Sequence, residues 1–187
     1  DGLVSLLNGT AEPSVGWLKS SDPDFGSPAN RYKYDAAKGK ALLAEAGFTA
    51  AKPLTFKAMI SNSGSGQMLP LPMNEYLQQN LKECSFDISF EVVEWGTMLV
   101  ALRNSPTAQQ ALGSDAMNIS LPPSTDISQI ALYFLSTNAA PKGRNWANWK
   151  NEEFDTLIDR IEKSNDKAQI LKDTQRAHEI IVDEAPW

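Results

Sequence analysis

His178 is the only histidine in this 187-residue sequence, and Cys84 the only cysteine. A Ser-His-Asp or Cys-His centre therefore has a single possible base. His178 lies inside an amphipathic helical stretch, where a surface or partly buried helix histidine is the expected role. One thiol excludes an intrachain disulfide and a thiolate metal cluster, and one imidazole gives no histidine metal site. Glu152, Glu153, Asp155 and Asp159 could hold a hard cation or form an acid/base pair. They alternate with Phe154, Leu157, Ile158 and Ile161, so they read as the solvated side of a helix. Gly64-Ser65-Gly66 lacks the Lys-Ser/Thr ending of a phosphate loop and the third glycine of a dinucleotide fingerprint. No catalytic group, cofactor or metal is expected.

Two aromatic sites are better suited to holding a ligand than to reacting with it. Arg144-Asn145-Trp146-Ala147-Asn148-Trp149 sets flat apolar area beside amide donors and acceptors. It reads either as a ligand-facing surface through Asn145 and Trp146, or as a loop pinned by two buried tryptophans. Trp95 follows a strand directly, and ligands of open α/β sheets gather beyond strand ends. The net charge of −6, with 17 scattered basic residues, argues against nucleic acid and an anionic membrane surface. No apolar run approaches the roughly 20 residues that span a bilayer. No signal peptide is evident at Asp1, so a mature form or an excised piece is expected.

The elements that must position these residues follow from periodicity. Residues 1–34 are rich in Gly, Pro, Ser and Asp and read as an irregular entry segment, anchored by Leu3, Val4, Leu6, Leu7 and Trp17. Residues 35–187 then form one α/β domain, a small mixed sheet flanked by helices. Asp35 opens a helix that carries Ala41, Leu42, Leu43 and Ala46 and ends at Gly47, with Gly39 costing about 1 kcal/mol in its interior. Leu54 to Ile60 alternates as a strand, Ser61 to Gly66 reads as a flexible loop, and Met73 to Cys84 has helical spacing. Phe86 to Val92 alternates again, which makes a βαβ unit. Thr97 to Arg103 reads as a short helix and Met117 to Leu121 as a third strand ended by Pro122-Pro123. Ile127, Ile130, Ala131 and Phe134 follow a Thr125 or Asp126 cap. Phe154 to Ile161 follows Asn151, and Asp166 with Gln169 resembles a capping box opening the last helix.

The segment Tyr34-Asp35-Ala36-Ala37-Lys38-Gly39-Lys40-Ala41-Leu42-Leu43-Ala44-Glu45-Ala46-Gly47-Phe48 resembles a motif of the peptide/nickel-type (family 5) solute-binding proteins of ABC importers. Its form there is Tyr-Asp-Pro-x-Lys-Ala-x-x-Leu-Leu-x-x-Ala-Gly-Tyr. Leu6 to Gly9 with Ala11 and Pro13, Leu77 to Trp95, Asn148 to Leu157 and Glu184-Ala185-Pro186 fall in that family's order. The resemblance implies a lobe of a periplasmic-binding-protein-like fold, the second of two lobes that close on a ligand by hinge motion. It implies capture of a small-molecule or peptide ligand in the periplasm or outside a bacterial membrane. An ABC permease would be the partner, with no nucleic acid, and a monomer is expected.

Carried over residue by residue, Trp95 matches the tryptophan after the lobe's second strand. Met117-Asn118-Ile119-Ser120-Leu121 occupies the family's Trp-x-x-Asp-Tyr segment, with Ser120 at the aspartate that holds a peptide's amino terminus in oligopeptide-binding relatives. A serine supplies no anion for an ammonium group, which argues against an ordinary peptide ligand. The expected ligand-facing set is Trp95, Met117, Asn118, Ser120, Leu121, Asn145 and Trp146. A ligand-sensing module of a regulator and a hydrolase acting through His178 are the competing functions.

Overall fold

The computed structural model describes residues 2–30, 32–121 and 126–187. The expected strand end at Pro122-Pro123 and the Thr125 cap lie outside them. The chain divides into two compact units: residues 1–13 with 33–122, and residues 14–32 with 123–187. The stretch expected as one irregular entry segment is thus shared between them. It also contains a short helix, α1 (Gly2–Leu6), and a 3-10 turn at Pro23–Phe25.

The first unit is α/β. Asp35 caps α2 (Ala36–Glu45) by accepting from the Lys38 N–H at 2.9 Å, and Gly47 follows its end in the left-handed region. The strands are β1 (Leu54–Ser61), β2 (Phe86–Val93) and β3 (Ala116–Asn118), ordered β2-β1-β3. Both pairings are parallel, with Leu54 opposite Phe86 and Met59 opposite Met117, where a mixed sheet is expected. The physical reason is the connection: a helix lies between successive strands, α3 (Pro70–Glu83) between β1 and β2 and α4 (Trp95–Leu102) between β2 and β3, and each returns the chain in the same direction. Alternation in β1 predicts one buried face. Instead Ala58, Met59, Ile60 and Ser61 are all buried, because β1 is the central strand and both α3 and α4 pack on it.

The second unit is helical among the described residues: α5 (Ile127–Phe134), α6 (Glu152–Lys163) and α7 (Lys167–Glu184). Its core joins Ile127, Ile130, Ala131 and Phe134 to Phe154, Leu157, Ile158, Ala177 and Ile181, closed by Leu18 and Phe25. Asp126 and Asn151 cap α5 and α6 through their side chains. At α7 only half of the capping box forms. Asp166 accepts from Ala168 and Gln169 N–H groups, but the Gln169 side chain donates to Asp173 instead of turning back. No helix among the described residues is long and apolar enough to cross a membrane.

Candidate functional site

In the order β2-β1-β3 the chain leaves β1 in one direction and then crosses back over it to reach β3. The carboxyl ends of β1 and β3 therefore flank a topological switch point, where open parallel sheets leave a crevice for ligands. Four of the expected residues gather at this place, Met117 and Asn118 closing β3 and Ser120 and Leu121 following it, and Trp95 begins α4 directly after β2.

The loop after β1, expected to be flexible, is tightly folded. Ser61 and Ser65 are buried, and the Ser61 hydroxyl donates to the Ser63 carbonyl. The Ser120 N–H donates to the Ser65 carbonyl at 2.9 Å, which fastens the exits of β1 and β3 to each other. Gly64 (φ 75°) and Gly66 (φ 80°) are required here. A Cβ on Gly64 would lie 3.0 Å from the Trp95 side chain, and one on Gly66 would lie 2.9 Å from the Ser120 carbonyl oxygen. Trp95, half-buried, is thus held against the loop with part of its indole left open.

Amide groups complete the first unit's site, and their contribution is not visible from local sequence pattern. Asn118 donates through Nδ2 to Asn74 Oδ1 at 2.7 Å, and Asn74 donates through Nδ2 to the Pro70 carbonyl at 2.7 Å and Gln67 Oε1 at 3.2 Å. At the other side Asn62 donates to the Glu94 carboxylate at 2.9 Å, joining the ends of β1 and β2. Glu94 is exposed and brings negative charge to the strand ends, next to Trp95 in the chain. That adjacency is the one signal in the sequence that could have pointed to it. Met68 and Leu69, on the same segment that leaves β1, are exposed apolar side chains.

Asn145 and Trp146 belong to the second unit. Asn145 has 0% exposure, and its amide is fully used. It donates to the carbonyls of Phe134, Leu135 and Trp149 and accepts from the Trp149 N–H at 3.1 Å. Asn145 therefore pins the turn. Asn148 supplies the left-handed residue that this turn requires. Trp146 stacks on Trp187 with centroids 5.5 Å apart and planes at 15°, and also packs on Tyr133.

His178 is more enclosed than expected, with 0% exposure. Its Nδ1 lies 2.8 Å from the Phe25 carbonyl, and its Nε2 accepts from the Leu18 N–H at 3.2 Å. These partners fix the neutral Nδ1–H tautomer, and burial pushes the imidazole pKa below its ordinary value. With both ring nitrogens occupied, the imidazole has no lone pair for a nucleophile. The acidic helix face is spent on surface pairs. Glu153 bonds Arg176, Asp159 bonds Lys163, and Asp155 accepts from the Ser136 N–H and hydroxyl.

Residues 2–141 match the model of the "Bacterial extracellular solute-binding proteins, family 5 Middle". The chain is 31% identical over 140 residues to the periplasmic oligopeptide-binding protein OppA of Salmonella typhimurium, covering 75% of this chain and 22% of that one. It is 26% identical over 181 residues to di/tripeptide-binding protein 4 of Pseudomonas aeruginosa, covering 96% and 32%. The solved periplasmic binding protein DppA of Helicobacter pylori, in complex with the peptide STSA, superposes on all of this chain and 34% of its own, with TM-score 0.78 and 20% identity. The chain spans 22–33% of the length of the curated relatives it matches. These relatives are transport binding proteins rather than enzymes. With a matched model over most of its length, this chain belongs to the bacterial extracellular solute-binding proteins of family 5.

Proposed function

We propose that this chain supplies ligand-binding surface to the substrate-binding component of an ABC-type importer. That component captures a small, peptide-like solute between two lobes outside the cytoplasmic membrane and passes it unchanged to a permease. The observation that carries the reading is the set of strand ends at the β1/β3 switch point. There Met117, Asn118, Ser120 and Leu121 lie beside a loop locked by Gly64 and Gly66, against which Trp95 packs from the end of β2. Such a site binds through flat apolar area and fixed hydrogen-bonding groups, and it carries no nucleophile-base pair.

Relatives with peptide-binding names support a peptide-like solute. Ser120 gives a neutral hydroxyl where an ammonium needs a carboxylate, and Glu94 at the end of β2 supplies the negative charge instead. A solute gains useful affinity only when most of its surface is covered, and this chain is about a third of its relatives' length. Calorimetry with one di- and tripeptide pool, on the full-length protein and on the 187-residue chain alone, tests the reading. Binding by the full-length protein at least tenfold tighter than by the chain alone supports it, whereas equal affinity sinks it.

A further inference from the structure

Asn74 is buried to 1% exposure on α3. Its orientation is not free. The Pro70 carbonyl can only accept, so the Asn74 NH2 must face it, and the Asn74 oxygen must face Asn118. Asn118 is then compelled to turn its own NH2 inward to that oxygen. Its carbonyl oxygen, Oδ1, is left over. Among the described residues no donor reaches Oδ1, and the only buried side-chain polar atom without a partner is Ser114 Oγ, so Oδ1 is unpartnered without being sealed in the interior. The same Asn74 amide holds Gln67, to which the Ser65 hydroxyl also donates at 3.4 Å, while the Ser65 carbonyl takes the Ser120 N–H. One buried side chain therefore orders both margins of the switch point.

We propose that Asn74 is a positioning residue for ligand specificity: it locks the Asn118 amide with its carbonyl oxygen outward, so that this position accepts a backbone amide N–H of a peptide-like solute. A neutral carbonyl suits an amide N–H better than an ammonium, which seeks charge. The inference rests on the binding reading above. It goes beyond that reading by assigning the hydrogen-bond polarity of the position and the residue that sets it.

The test uses the full-length protein with trialanine and the two forms of it methylated at a single peptide nitrogen. Trialanine is expected to bind about tenfold tighter than one methylated form, the loss of a well-placed hydrogen bond. Asn118→Leu and Asn74→Leu should bring that ratio close to one. Asn74→Asp keeps an oxygen facing Asn118 but loses the donors to Pro70 and Gln67, so it should lower Tm and still retain the ratio. A merely structural Asn74 would make the ratio follow Tm in both variants, and a ratio that survives Asn74→Leu overturns the proposal. Hydrogen exchange of the Asn118 side-chain amide in the ligand-free protein reads its orientation without any solute. Slow exchange that becomes fast in Asn74→Leu is expected, and fast exchange in the unaltered protein overturns the role of Asn74 even if trialanine binds. Absence of trialanine binding instead overturns the peptide reading, and with it the ligand group assigned to Asn118.

Discussion

His178 shows how a residue with catalytic potential can be committed to structure. Because its neutral form is bonded on both nitrogens and its pKa is held down by burial, the unfolded chain takes up the proton first as pH falls. Its contribution to stability is complete above roughly pH 6.5, the ordinary histidine value, and is lost as pH falls below that. The bond to the Phe25 carbonyl and, after it, the carboxylates of Asp22 and Glu179 oppose the shift but do not reverse it. Asp173 adds a loss at lower pH, since the Arg160 guanidinium holds its carboxyl below the ordinary range. Urea unfolding at pH 7.5 and pH 5.5 should show the native chain weakening on acidification. His178→Phe should cost about 1–3 kcal/mol at pH 7.5 by stranding the Leu18 N–H, and should flatten that pH dependence. An unchanged slope would contradict the account. Asn145→Ala should likewise destabilise by roughly 1–3 kcal/mol while leaving full-length ligand affinity within about twofold, because its amide serves the turn. A large loss of affinity at unchanged stability would instead place Asn145 against the ligand. The partners of neither side chain were legible in sequence, because they are backbone groups, and for His178 they lie about 150 residues away.

Elements were more legible than side-chain roles. The starts of α2, α6 and α7 were marked by Asp35, Asn151 and Asp166, each of which bonds its helix's free N–H groups. The α5 face of Ile127, Ile130, Ala131 and Phe134 is buried as its spacing predicts. What periodicity missed was neighbourhood. β1 alternates as though half-exposed, yet as the central strand it is covered on both faces, and no local pattern reports strand order. In α2 none of the expected apolar side is fully buried: Leu43 is half-buried, and Leu42 is at 54% exposure. Gly39 in that helix has a packing reason: a Cβ there would come within 3.1 Å of Cys84 Sγ. Gly39→Ala alone should therefore fail to deliver the usual gain of about 1 kcal/mol for removing a helical glycine. In the Cys84→Ala background the same change should stabilise by about that amount. Thermal unfolding of the four-member cycle measures this coupling, and additive effects would contradict the close approach.

At the scale of the whole chain, fold class and family were legible because the Tyr34–Phe48 motif and the order of segments extend over most of the sequence. The site was legible only in part. Trp95 could be placed from its position after a strand, and Met117 to Leu121 from the matching segment. Asn74, Gln67 and Glu94 could not, because their importance comes from the crossing of the chain over β1. The central claim is that a solute is held at these strand ends and left unaltered. Native mass spectrometry of the full-length protein and its Trp95→Ala variant, each incubated with a di- and tripeptide pool, tests it most directly. The account predicts that the unaltered protein retains a peptide of intact mass and that Trp95→Ala retains at least tenfold less. Recovery of cleaved peptide, or equal retention by the variant, would contradict it.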